Sequence, residues 1–501
     1  MEKQIKFGAI LAYVAIAINI LSGLLYTPWM IQQIGKADYG LYTLVNSLIT
    51  MFMVDFGLSA AAARYISKYV AEGNQKKANE FLGLIYKLYL IVDVIIFLVL
   101  VVIFFFIEEI YIKLTPQELT KFKTVYCIAG LFSIINFPFV TLNGVLTAYE
   151  KFVQLKLSEI IHKVIILCFT VAALLLNFGL LALVLVNAFS GIVVTAYKYI
   201  VVSTKTSIRV VFKGEKSKEY RSIFVFSFWT TVSALSQRLI FTITPTILGI
   251  MVSSEAIAVF GIVVTIEGYF YTITAAINGM FMPKISRIYA GKDTDENIMP
   301  LMKDVGRFQF ALNGLIFVGF ALLGKDFLGL WMGRGFEQAY SGILLVIFPS
   351  IFLNSLQIAN TAMIVQNKIK QRAIIDLGTG ITNVVVSFLI SSKLGVLGAC
   401  LSIFLAYTVR VVLYFTVHYK IMKIDIFYFI KNCYFKLGVS TAVTFALCMV
   451  INKFIFGNSW LILIAKVIIC ISVFVTSIWI FGLDSNERVK TLRYLKMRKG
   501  E

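Results

Sequence analysis

The chain has 501 residues, of which 59% are hydrophobic and 14% charged, and its mean hydropathy is +0.88. That composition excludes a string of soluble domains, because apolar runs of about 20 residues recur along the whole length and each can cross a hydrocarbon core roughly 30 Å thick. The net charge of +20 would point to nucleic acid in a soluble protein, but here it reads as Lys and Arg gathered in the cytoplasmic loops of a polytopic helical membrane protein, with no nucleic-acid partner.

Lys3 and Lys6 precede an apolar run too long for a signal-peptide core, so that run is expected to stay as the first span. Fourteen spans are predicted in all. They cover residues 7–26, 41–63, 81–107, 122–147, 157–177, 180–202, 222–251, 256–280, 308–323, 340–365, 373–391, 394–417, 434–452 and 460–481. The six cysteines, Cys127, Cys168, Cys400, Cys433, Cys448 and Cys470, lie in or beside these runs, form no CxxC pair and read as small hydrophobes.

Charge orients the spans. With the N-terminus in the cytoplasm, the outer segments hold only Lys36, Lys113, Lys121, Lys123, Lys325, Arg334, Lys393 and Lys453 of the 46 Lys and Arg, which places both termini inside. An internal repeat is also visible. Asp38-Tyr39-Gly40-Leu41 matches Val259-Phe260-Gly261-Ile262, Ile66-Ser67-Lys68 matches Ile285-Ser286-Arg287, and Gly179-Leu180-Leu181-Ala182 matches Gly395-Val396-Leu397 with Gly398-Ala399. Pro28 pairs with Pro245, and Pro138 with Pro349. Six spans per copy give both copies one orientation, so two six-helix lobes are expected about an axis along the membrane normal, with a V-shaped cleft as the transport path. The lobes are residues 1–215 and 216–425; residues 426–501 hold two further helices and a basic tail. The fold class is all-α.

No HExxH, CxxC, phosphate-loop or G-x-S-x-G pattern occurs, so neither an enzyme nor a metal or cofactor is expected. His162 and His418 read as interfacial side chains. Chemistry therefore rests on charges within spans. Arg238 sits near the middle of the seventh span, where an arginine costs roughly 3 kcal/mol, and it is expected to face a wet cavity or bind an anion. Asp55, Asp93 and Glu267 are also deep and suit ion pairing or proton transfer. Lys87 and Arg410 reach inward by snorkelling, Lys466 outward, while Asp376, Glu159 and Lys163 lie near the inner interface. Trp331 reads as an outer interfacial anchor, and Gly57 to Ala63 as a small-residue packing face.

The stretch TPWMIQQIGKADYGLYTLVNSLITMFMVDFGLSAAAARYISKYVAEGN carries a late Pro28, the loop Gly35-x-x-x-Tyr39-Gly40, the pair Gly57-Leu58 and a basic run from Arg64. In these features the chain resembles bacterial polysaccharide flippases of the Wzx type, within the multidrug/oligosaccharidyl-lipid/polysaccharide (MOP) exporter superfamily. The resemblance implies movement of an undecaprenyl-diphosphate-linked oligosaccharide from the inner to the outer leaflet of the bacterial plasma membrane by alternating access. It implies a cationic cavity, here Arg238 with Arg410, Lys87 and Arg64 as secondary contacts, and coupling to protons or sodium. Its partners would be the lipid-linked substrate, membrane lipids and other polysaccharide-assembly proteins. Many relatives carry an acidic residue where this chain has Gln237-Arg238, so coupling would fall to Asp55, Asp93 or Glu267. The alternatives are a lipid II flippase, which would cluster arginines in the first two spans, and a multidrug exporter, which would end at twelve spans around an acidic cavity. A membrane-embedded glycosyltransferase would need larger outer loops.

Overall fold

The computed structural model describes residues 2–212, 220–278, 281–290, 298–483 and 487–488. Every regular element among them is helical. In chain order these are α1 (Glu2–Ile34), α2 (Lys36–Phe52), α3 (Leu58–Ala71), α4 (Gln75–Ile110), α5 (Pro116–Asn136), α6 (Thr141–Ala148), α7 (Phe152–Leu175), α8 (Gly179–Lys205), α9 (Tyr220–Phe241) and α10 (Thr244–Met251). They continue with α11 (Ser254–Asn278), α12 (Met282–Ala290), α13 (Ile298–Trp331), α14 (Glu337–Ser355), α15 (Gln357–Val365), α16 (Ile369–Lys420), α17 (Ile426–Phe429), α18 (Lys436–Asn452) and α19 (Trp460–Ser477).

Among the described residues, 11 helices are long and apolar enough to cross a membrane. One of them, α16, has 52 residues, which would extend about 78 Å if straight, more than twice the hydrocarbon thickness. It turns at Gly395, whose φ of 58° and ψ of −133° lie outside the helical region. The two spans expected at 373–391 and 394–417 fall on either side of that turn.

Several spans that look continuous in sequence are broken. The second divides into α2 and α3, with left-handed Phe56 (φ 53°) and Gly57 (φ 68°) between them. The fourth passes through a 3-10 turn, Phe137–Val140, where Pro138 removes an N–H from the ladder. Thr141 Oγ1 satisfies the Pro138 carbonyl at 2.7 Å. The seventh breaks between α9 and α10, with Pro245 in the first turn of α10. The thirteenth starts earlier than its apolar run, at α17, and reaches α18 through a π-helical turn, Ile430–Phe435.

The sequence repeat reappears as backbone geometry. After α6, Tyr149 N donates to Val145 O, Glu150 N to Thr147 O and Lys151 N to Leu146 O. The same three bonds close α15, from Gln366 N to Ala362 O, Asn367 N to Ile364 O and Lys368 N to Met363 O. Glu150 and Asn367 both take the left-handed conformation in these turns, as do the matched glycines Gly179 and Gly395.

Contacts divide the chain into two compact units. The first comprises Met1–Gly261 and Asp376–Ala399. Within it α1 packs on α7, α7 on α8, α2 on α5 and α3 on α6. The last pair approaches closely because Gly144 has no side chain where a Cβ would run into the Ser59 carbonyl and the Ala62 methyl, with Ser59 Oγ donating to Val140 O at 3.0 Å. The Asp376–Ala399 stretch belongs here because Gly380 lies against Ser236 and Leu239 of α9. Asn383 Nδ2 also donates to Leu239 O (2.9 Å) and Ile240 O (3.2 Å), so it serves carbonyls freed by the break before α10. Asp376, expected at the inner interface, is fully buried and accepts from the Ser233 hydroxyl.

The second unit comprises Ile262–Ile375 and Cys400–Glu501. It is built on α13, which packs on α14, α18 and α19. Phe310, Phe352 and Phe429 surround Tyr434, whose hydroxyl lies 2.7 Å from Ser355 Oγ. Two expectations are corrected here and a third is sharpened. Lys466 ends on an acid: its side chain is 9% exposed and pairs with Asp326 at 3.1 Å across the α13–α19 contact. Trp331 is buried and stacked on Phe327 rather than spread at an interface. His418 is wholly buried against the Tyr414 ring, since the chain folds back over it with Ile424 N donating to His418 O.

Candidate functional site

The break in the second span creates two helix ends in the middle of an apolar bundle. The C-terminal end of α2 presents carbonyls without intrahelical partners and about half a negative charge; the N-terminal end of α3 presents free N–H groups and about half a positive charge. Each end meets a side chain of opposite sign. Arg238 of α9 donates from Nη2 to Met53 O at 2.9 Å, at the C-cap of α2. Asp55 accepts from Ser59 N with both carboxylate oxygens at 3.3 Å, in the first turn of α3, and from the hydroxyl of the fully buried Tyr89. Arg238 and Asp55 do not pair with each other among the described residues. One arm of the arginine remains: Nη1 is buried and has no hydrogen-bond partner among the described residues.

A cavity of about 390 Å³ opens beside this break, inside the first unit. Its polar lining includes Asn46 on α2, Asn136 on α5, Asn143 on α6, His162 on α7, and Asn187 and Lys198 on α8, with the hydroxyls of Thr50, Ser133 and Thr195. Lys198 Nζ donates to Asn143 Oδ1 at 2.9 Å, Asn136 Nδ2 to Phe132 O at 2.9 Å, and Asn187 Nδ2 to Tyr42 Oη at 3.4 Å. No carboxylate is among the lining residues. His162, expected at an interface, instead lines this cavity. The cavity touches the break directly: Ile49 lines it, and Met53 N, from the residue that Arg238 caps, donates to Ile49 O.

The remaining predicted site residues lie apart from this pair. Asp93 sits one helical turn beyond Tyr89 on α4, half-buried, with Oδ1 unpartnered among the described residues. Arg64 is exposed on α3 and lies over the Tyr65 ring. Lys87 is exposed on α4, where Nζ donates to Phe212 O at 2.5 Å and ties the 206–212 segment to that helix. In the second unit, Glu267 is 8% exposed and forms no hydrogen bond or ion pair among the described residues. Arg410 is equally buried, flanked by the Tyr407 and Tyr414 rings of its own helix. The four asparagines and Lys198 were not among the predicted site residues. Asn136 and Asn143, two amides seven residues apart within one apolar run, were the available signal. No group of three His, Cys, Asp or Glu among the described residues is placed to hold a metal ion.

A family model described as "Polysaccharide biosynthesis protein" matches residues 6–289, more than half of the chain. No curated protein matches the sequence. The fold is similar to that of a lipid II flippase, MurJ, in an inward closed conformation: TM-score 0.75, 12% identity, covering 95% of this chain and 98% of that one. It is also similar to an inward-facing multidrug resistance MATE family transporter of the MOP superfamily, with TM-score 0.67, 12% identity and coverage of 81% and 96%. A MATE transporter in a bent conformation gives 0.59, 14%, 83% and 94% for the same quantities.

Proposed function

The chain belongs to the polysaccharide biosynthesis protein family, and from that premise we propose that it is a flippase for an undecaprenyl-diphosphate-linked oligosaccharide. It would carry this substrate from the inner to the outer leaflet of the bacterial plasma membrane by alternating access. The observation that carries the reading is Arg238. A half-buried guanidinium with one arm capping a helix break and the other, buried, without a partner among the described residues is a preorganised seat for a diphosphate oxygen. Arg410, Lys87 and Arg64 are secondary contacts in this reading, and Asp55, Asp93 or Glu267 would carry coupling to protons or sodium.

The topology in this reading has fourteen spans. The 11 long apolar helices support it, together with the turn that divides α16, the 33-residue α1, and α2 with α3 as one interrupted span. Residues 1–215 and 216–425 form the lobes, 426–501 the added pair and tail, and both termini lie in the cytoplasm. The family description favours surface polysaccharide over lipid II as the pathway served, as does the absence of arginine from the first two spans, with Arg64 only at the end of the second. An exporter of organic cations would want acids where the cavity here has amides and a lysine.

The test is Arg238→Ala and Arg238→Lys in cells lacking the native protein. Surface polysaccharide should fall to background with alanine; normal polysaccharide with both variants would sink the diphosphate role.

A further inference from the structure

The cavity beside the helix break holds four asparagines, a histidine and a single lysine, without a carboxylate among its lining residues. Each asparagine offers two donors and an acceptor, the mixture that vicinal hydroxyl groups require and that a hydrocarbon chain cannot use. Lys198 spends one donor on Asn143 and has two more, so the cavity presents one positive charge for one negative group. Its volume lies within the range of small-molecule sites.

We propose that this cavity is a subsite for an acidic saccharide unit, with ring hydroxyls on Asn46, Asn136 and Asn187 and a carboxylate on Lys198. The proposal rests on the flippase reading and deepens it by naming the substrate class. The last turn of α2 connects the two places. Ile49 forms cavity wall and Met53 bears the carbonyl that Arg238 caps, four residues and about 6 Å further along the axis. A diphosphate at Arg238 and the adjoining sugars in the cavity would therefore lie on successive turns of one helix.

Thermal unfolding of the purified full-length protein in detergent provides the test, with sodium D-glucuronate, D-glucose and sodium pyrophosphate as separate probes. Glucuronate should raise the midpoint of the wild-type chain. Lys198→Met should weaken that protection about tenfold, the loss of one charge-assisted contact, and Lys198→Arg should restore most of it. Weak glucose protection should be unchanged by Lys198→Met. Thr195→Leu, which fills the cavity without removing its charge, should weaken both sugars and covers the case in which the lysine variant fails to fold. Arg238→Ala should abolish pyrophosphate protection and leave glucuronate protection intact. Absence of glucuronate protection in the wild type, or protection in Lys198→Met and Thr195→Leu as strong as in the wild type, overturns the subsite. Glucuronate protection without any pyrophosphate protection overturns the diphosphate seat instead and leaves the saccharide subsite standing.

Discussion

Arg238 and Met53 are joined across 185 residues of sequence by one hydrogen bond, from a guanidinium arm to the last carbonyl region of a half-helix. The bond explains how an arginine is kept within an apolar bundle: it faces the negative end of a dipole rather than lipid. Replacement by methionine should lower stability by about 1–2 kcal/mol, since the Met53 carbonyl loses its charged donor. Lysine should recover most of that, because one arm suffices to cap, but it cannot also reach a diphosphate with a second. A thermal midpoint restored by lysine while polysaccharide synthesis stays impaired would separate the capping role from the binding role.

Close approach at the head of α2 gives a second prediction. A Cβ on Gly40 would run into the Ser254 backbone, while one on Gly261, its partner in the sequence repeat, would come within 3.3 Å of Tyr39 and Thr43. Gly40→Ala should therefore cost about 1–3 kcal/mol through overpacking. The ion pair between Lys121 and Asp38 spans the same region at 2.8 Å, but the lysine is 54% exposed. Lys121→Ala should change stability by no more than about 0.5 kcal/mol. Comparable losses for the two variants in a thermal melt would show that charge, not backbone contact, holds this end.

How much of this was legible in the sequence depends on which physical signal each feature emits. Apolar length made the all-helical, membrane-spanning character legible, and the matched glycines at 179 and 395 marked turns that the structure makes left-handed in both copies. The break after Met53 was hidden, because Met53-Val54-Asp55-Phe56 contains no proline and Gly57 reads equally well as a packing residue. Arg238 and Asp55 stood out as charges in apolar runs, yet nothing in sequence said that they serve opposite ends of one break. The cavity amides emitted less still, since an uncharged asparagine barely lowers the hydropathy of its span. The apolar run at 308–323 leaves Arg307 outside its span, whereas α13 begins at Ile298 and carries the arginine to a buried position.

That arginine carries the third prediction. Arg307 is 5% exposed and donates to Asn432 O, to Gly482 O at 2.5 Å and to Glu487 at 2.9 Å. Two of these acceptors belong to π-helical turns, where the ordinary ladder is interrupted. Arg307→Lys keeps the charge but cannot hold three acceptors with one nitrogen in a fixed fork, so it should destabilise by about 1–3 kcal/mol. Glu487→Gln should cost less, because that side chain is partly exposed and water can replace the bond. Limited proteolysis near residue 482 would read the difference; equal resistance in Arg307→Lys and wild type would refute the clamp.

Asp55 allows structure and transport to be parted with one substitution. Its carboxylate caps α3 through Ser59 N and accepts from Tyr89, and an asparagine can do both with its amide oxygen, since Asn and Asp are comparable N-terminal caps. Asp55→Asn should thus stay within about 0.5 kcal/mol of the wild type, whereas Asp55→Ala should lose about 1–3 kcal/mol by stripping the cap and leaving the buried Tyr89 hydroxyl without its acceptor. If Asp55 also carries the coupling cation, the asparagine variant should fold normally and yet transport at a rate indifferent to an imposed proton or sodium gradient in proteoliposomes. A gradient-dependent rate equal to wild type in Asp55→Asn would confine Asp55 to capping and move coupling to Asp93 or Glu267, each to be probed with the same amide substitution.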